Sequence, residues 1–209
     1  MAYGEFTLEV VKSRFSLRIE EKVEHFATIA AVAVSDFLTG MLAENIPLAV
    51  AISTEKARSE FIIAPVLLEA RRQARPQVSL FSGVEFNVDP SRGLNGVCDF
   101  LISLSPEQLT IEVPVISVVQ AKNESIKGGI GQCMAEMVAV REFNKQRDRE
   151  LPRVYGVVTT GSLWKFMSLE GDVVHFDPRE YPITELGRVV GILVSMMRAE
   201  PSKHHEMPL

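Results

Sequence analysis

Asp99, in the segment GVCDFLI, and the pair Gln120 and Lys122, at the end of the apolar run ISVVQAKNE, are the side chains whose types and spacing best suit shared chemistry. Residues of a strand alternate between faces, so Gln120 and Lys122 share one face while Ala121 points the other way, into the interior. If the strand carrying Asp99 runs beside them, a carboxylate, an amide oxygen and an ammonium meet at one sheet edge. Hard oxygen donors of this kind suit Mg²⁺, which is bound through one or two carboxylates together with waters and substrate phosphate oxygens. The ammonium can then orient a water or stabilise charge developing at phosphorus.

The elements that must position these residues follow from periodicity and turn chemistry. VSLFSGVEFNVD and GVCDFLISL read as two strands joined by the turn-rich DPSRGLNG, so Asp99 lies on the second strand of a hairpin. The nearly continuous apolar run Val115 to Ala121 reads as a central strand covered on both faces. Ahead of the hairpin, Ser53 or Thr54 caps a helix with Glu55 in its first turn, running to about Gln73 and kinked at Pro65. After the central strand, Gly128, Gly129 and Gly131 read as a flexible turn leading into a helix through QCMAEMVAVREFNKQRD. RVYGVVTT, LWKFMSLE and DVVHFD read as three further strands, and Thr184 to Ala199 as a closing amphipathic helix. Toward the N-terminus, Phe6 to Phe15 alternates as a strand. A helix follows from about Glu24 to Leu42, then an apolar connector from Ile46 to Ile52.

An acid on one strand followed by Q-A-K on the next, within the order helix, hairpin, central strand, helix and further strands, resembles the PD-(D/E)XK nuclease superfamily. Asp99 fits its first position and Lys122 its last; Gln120 stands where an Asp or Glu is usual, and Q-A-K resembles the methylation-dependent Mrr-like restriction endonucleases. From about Glu55 to Leu169 the order of elements is also similar to small cyanobacterial members and to the N-terminal nuclease regions of type I restriction subunits. The resemblance implies an α/β fold with a restriction endonuclease-like three-layer core, a central mixed sheet flanked by helices. A single domain would span residues 1–200, with its core at about 55–177 and a flexible tail at 201–209. It implies a DNA phosphodiesterase using Mg²⁺, with Mn²⁺ as a substitute. Asp99, the Gln120 side chain and the Ala121 carbonyl would hold the metal, Lys122 would serve the attacking water, and Glu60 would supply an additional acid. Glu85 is a further candidate acid, and Gln132 resembles a glutamine that some members direct toward the site or the DNA. DNA is the implied partner and a homodimer the implied assembly. The missing charge at Gln120 weakens metal binding, so the rival reading is a catalytically inactive nuclease-fold binding or interaction module.

Composition bounds these readings. The 209 residues, 46% hydrophobic and 23% charged, suffice for one well-buried core. A net charge of −5 lacks the overall basic footprint of a protein that grips nucleic acid by its phosphates, so DNA contact falls to a local patch. Cys98 and Cys133 lack C-x-x-C spacing and read as reduced thiols of a cytoplasmic protein. The start MAYGEFTLEVV shows no secretory signal, and the tract Phe26 to Leu42 is too short and interrupted to span a bilayer, reading as a buried helix. GGIGQCM fails the dinucleotide pattern because Met134 stands at its third glycine position. Trp164 reads as a hairpin tryptophan beside Lys165 rather than a stacking surface, and Arg71, Arg72 and Arg75 as a solvated helix end. His204 and His205 read as solvent-facing tail residues.

Overall fold

The protein is described by a computed structural model covering residues 1–21, 26–74 and 78–198. Its strands are β1 (Arg18–Glu20), β2 (Ser79–Glu85), β3 (Val97–Ser103), β4 (Val115–Ala121), β5 (Val154–Thr159), β6 (Leu163–Glu170), β7 (Val173–Phe176) and β8 (Tyr181–Pro182). They form one mixed sheet in the order β1-β7-β6-β5-β4-β3-β2, with β8 paired to β6. β4 and β5 are parallel, whereas β2, β3 and β4 form an antiparallel meander. All seven residues of β4 are buried, which is why its sequence is an almost unbroken apolar run: it is covered on both faces.

The helices are α1 (Leu8–Phe15), α2 (Asp36–Ile52), α3 (Glu55–Arg58), α4 (Ala64–Ala74), α5 (Ile126–Lys145) and α6 (Leu186–Arg198). α1 and α5 contribute to one apolar core; α2, α4 and α6 contribute to the other, on the opposite side of the sheet. This is a three-layer α/β arrangement. The connection from β4 to β5 runs through α5, as a parallel strand pair requires.

Thr54 caps α3, its hydroxyl accepting the Ala57 N–H, while Ser53 ends α2 in the left-handed conformation. Between α3 and α4, Ser59–Ile63 forms a π-helical turn just ahead of Pro65. Pro65 has no N–H to offer the Phe61 carbonyl, and the Asn45 side chain donates to that oxygen instead at 3.0 Å.

Four segments differ from their sequence-based expectation. Phe6 to Phe15 is not a strand: Thr7 caps α1 by accepting the Val10 N–H, and Val11 and Phe15 reach the core at helical spacing. Gly128, Gly129 and Gly131 lie inside α5 rather than in a flexible turn. A Cβ on Gly131 would collide with the backbone of Phe6, Thr7 and Leu8, so this glycine lets the start of α1 cross the helix closely. Residues 30–35 are not helical: the Val32 N–H bonds the Gly187 carbonyl, and Arg188 takes the carbonyls of Ala27 and Ile29. The helix starts only at the Ser35 cap and runs on through the expected connector to Ile52, with Pro47 inside it. Glu24, Arg75, His204, His205 and the 201–209 tail lie outside the described residues.

Candidate functional site

β3 and β4 pair so that Asp99 and Gln120 fall one step beyond the Phe100 and Val119 partners, directly across the ladder. The Asp99 Oδ2 accepts the Ala121 N–H at 2.8 Å and also a short hydrogen bond from the Gln120 Nε2. The same Nε2 donates to the Ala121 carbonyl at 3.3 Å. Gln120 is only 1% exposed, and its Oε1 is buried without a partner among the described residues. Burial pushes the Asp99 carboxyl above its ordinary range, against the pull of the Ala121 N–H, the Lys122 charge and the Gln120 amide; the nearby Glu55 pushes the same way as burial.

Lys122 follows the end of β4 and is still pinned to β5, its N–H donating to the Thr159 carbonyl at 2.8 Å. Its Nζ stands 3.6 Å from the Glu55 Oε2. Glu60 is paired with Lys56 at 2.9 Å on the more exposed side. A cleft of about 370 Å³ opens over Asp99 and Ala121; residues 55–60 supply Glu55, Lys56, Ser59 and Glu60 to it, and β2 supplies Ser82 and Gly83. Arg58 ties this helical segment down by donating to Asn123 Oδ1, the Thr160 carbonyl and Ser162 Oγ at 3.1, 3.0 and 3.3 Å.

Asp99, Gln120, Ala121 and Lys122 are thus brought together, with Gln120 buried rather than open. Glu60 reaches the cleft but is engaged by Lys56. Glu85 is exposed at the end of β2 with Asn87 beside it. Gln132 turns along α5, donating to the Glu136 Oε1 at 3.0 Å. Trp164 is fully buried, with its indole N–H on the Gly161 carbonyl. Arg71 bonds the Val78 carbonyl and Arg72 pairs with Glu69. Cys98 and Cys133 are buried free thiols, both pushed up by burial and hence poor nucleophiles.

Two residues of this region escaped the sequence reading. Glu55 was visible only as a first-turn acid, although it is the carboxylate that faces Lys122. Glu136 lies fully buried in the apolar stretch of α5, its carboxyl pushed up to about 8 by burial, with charges of Asp99 and Lys122 also acting on it. Its signal was an acid inside MAEMVAV, a position that a solvent-facing helix residue does not occupy.

Comparison of the chain with protein-family models, curated proteins and solved structures finds no match. Among the described residues no three His, Cys, Asp or Glu side chains gather as a metal shell. A cation here would therefore rely on Asp99 with neutral oxygens. Gln120 provides the test of fit: its NH₂ group now binds Asp99 Oδ2 and the Ala121 carbonyl, the same two oxygens a metal would need. Rotating the amide by half a turn exchanges its nitrogen and oxygen with little change of shape. The unpartnered Oε1 would then join the other two oxygens, a gathering that a cation, or a proton on Asp99, would have to offset. In that flipped state one carboxylate and two neutral oxygens, completed by waters, would be the donors available to a small hard cation.

Proposed function

We propose that the protein is a metal-dependent DNA phosphodiesterase, an endonuclease-like enzyme of the PD-(D/E)XK type. The observation that carries this reading is the convergence of Asp99, the Gln120 amide and the Ala121 carbonyl beside a cleft, with Lys122 just past the end of β4. Asp99, the Gln120 side-chain oxygen and the Ala121 carbonyl would hold Mg²⁺, or Mn²⁺ in its place. When bound, the ion supplies Lewis acidity at a phosphoryl oxygen. Lys122, steadied by Glu55, orients the attacking water and offsets charge developing at phosphorus. Glu60, at the exposed side of the cleft, assists once it leaves Lys56. No described helix is long and apolar enough to cross a membrane. The buried, unpaired cysteines support a cytoplasmic setting, and a homodimer would bring two such sites to one duplex.

A second reading draws on the same amide. With its NH₂ on Asp99, Gln120 performs the neutralising task of a cation, which favours a catalytically inactive nuclease-fold binding or interaction module. Incubation with single-stranded, duplex, branched and methylated DNAs and Mn²⁺ or Mg²⁺ separates the two. Metal-dependent cleavage lost in both Asp99→Ala and Lys122→Ala supports the enzyme. Absence of both cleavage and Mn²⁺ affinity leaves the binding module.

A further inference from the structure

The first turns of α5 carry Gly128, Gly129 and Gly131, although glycine is, after proline, the least favourable residue inside a helix. Each calls for a reason in the packing. Gly131 has one in the crossing of residues 6–8, whereas Gly128 is exposed, with open space where a side chain would stand. Gly129 is buried, and what lies against it belongs to the candidate site. A Cβ there would stand 2.8 Å from the Val158 Cγ1, 3.0 Å from the Lys122 Cγ and 3.1 Å from the Lys122 Cε. Ordinary carbon contacts are roughly 3.5–4.0 Å, so the Lys122 stem occupies the notch that the missing side chain leaves.

The notch lies where α5 packs on β4 and β5, with Val158 as its wall on the sheet side. Lys122 is 20% exposed, and the carboxylate that meets its Nζ at 3.6 Å, Glu55, is itself 46% exposed. An ion pair so open to water is a weak tether for a side chain as rich in rotamers as lysine. Packing of the stem along Gly129 narrows that freedom independently of the charge.

We propose that Gly129 is a positioning residue for Lys122: by carrying no side chain, it seats the lysine stem between α5 and β5, from which the ammonium reaches Glu55 at the cleft. The seat is a matter of packing; its use in orienting the attacking water rests on the phosphodiesterase reading above. Gly129 differs in this from Gly131, where a methyl meets main chain. A methyl at 129 meets a flexible side chain that can swing away, so the loss falls on where Lys122 points.

The test combines chemical labelling with kinetics. The full chain, as wild type, Gly129→Ala and Gly128→Ala, is treated with limiting acetic anhydride. Mass spectrometry reads acetylation of Lys122 against that of Lys145, and circular dichroism monitors folding. The expected result is Lys122 acetylation faster by roughly threefold or more in Gly129→Ala and unchanged in Gly128→Ala. With metal and DNA, Gly129→Ala is expected to lower kcat by roughly ten- to hundredfold at unchanged KM. The pair Gly129→Ala/Val158→Ala frees space on the sheet side but leaves the methyl against Lys122, so both effects should persist in it. It also carries the measurement should the single variant fail to fold. Unchanged Lys122 acetylation in folded Gly129→Ala, or its full return to the wild-type rate in the pair, overturns the seat. Raised acetylation with undiminished cleavage overturns its part in catalysis. A wild type that cleaves no DNA overturns the phosphodiesterase reading, and the acetylation ratio then decides the seat by itself.

Discussion

Glu55, rather than Glu60, is the carboxylate that faces Lys122, with 3.6 Å between its Oε2 and the Lys122 Nζ. Glu60 sits one turn further on and is held by Lys56. Glu55 and Glu60 therefore have different work to do. Glu55 acts on Asp99 by raising its pKa, so Glu55→Gln removes that push. The acid limb of any Asp99-dependent metal binding or cleavage is expected to move to lower pH in Glu55→Gln and to stay in place in Glu60→Gln. Mn²⁺ affinity measured against pH for the two variants decides this; equal shifts would show that Glu55 has no special relation to the site.

Gln120→Glu sets a carboxylate against Asp99 in place of a donor. Without metal the variant is expected to lose about 1–3 kcal/mol, the cost of two buried acceptors facing one another. With Mg²⁺ it should recover more than the wild type gains, because a second carboxylate strengthens the shell. Thermal unfolding with and without Mg²⁺ measures both effects. A variant that is destabilised yet indifferent to Mg²⁺ would count against a cation at Asp99.

Glu136 makes stability depend on pH. Its folded carboxyl titrates near 8 against an ordinary 4.5. The burden is absent below pH 4.5, where the acid is protonated in both states. It grows as pH rises from there to about 8, because only the unfolded chain releases the proton. Glu136→Gln keeps a polar group for Gln132 and removes the ionisation. The variant is expected to match the wild type near pH 4.5 and to exceed it by on the order of a few kcal/mol at pH 8. Denaturant melts at the two pH values read the difference directly.

Gly131→Ala forces a methyl into the backbone of residues 6–8. The expected loss is about 1–3 kcal/mol or more, since a crossing of main chains has no flexible side chain to yield. Gly128→Ala is the control: a Cβ there meets nothing within 4 Å, and alanine favours the helix. Chemical denaturation should separate the two variants in opposite directions.

The hairpin, β4 and the bodies of α4, α5 and α6 could be read from the chain because their periods and turn residues agree with their final packing. Phe6 to Phe15 could not. Phe6, Leu8 and Val10 alternate as a strand would, while Leu8, Val11 and Phe15 also fit a helix, and the Thr7 cap together with the close approach of Gly131 favours the second. α2 was misplaced because an apolar segment without a polar face has no period to mark its ends. Asp99 and Gln120 were legible as neighbours, since consecutive antiparallel strands bring them together. The roles of Glu55 and Glu136 depend on Lys122 and on the packing of α5 against the sheet, contacts between distant segments that local pattern does not encode.

Arg58 gives the site a history as well as a shape. Its three acceptors lie on residues 123, 160 and 162, far along the chain, so the cleft closes only after β4 and the β5 to β6 turn are in place. Residues 55–60, of which only Ala57 is buried, should then be among the last to dock during folding and among the first to open in the native state. Amide exchange in this short helical stretch should be faster than in β4, and Arg58→Ala should accelerate it while leaving the slowest-exchanging sheet amides unchanged. Glu55 and Glu60 would come and go together, as one small cooperative unit, while Asp99 stays with the sheet.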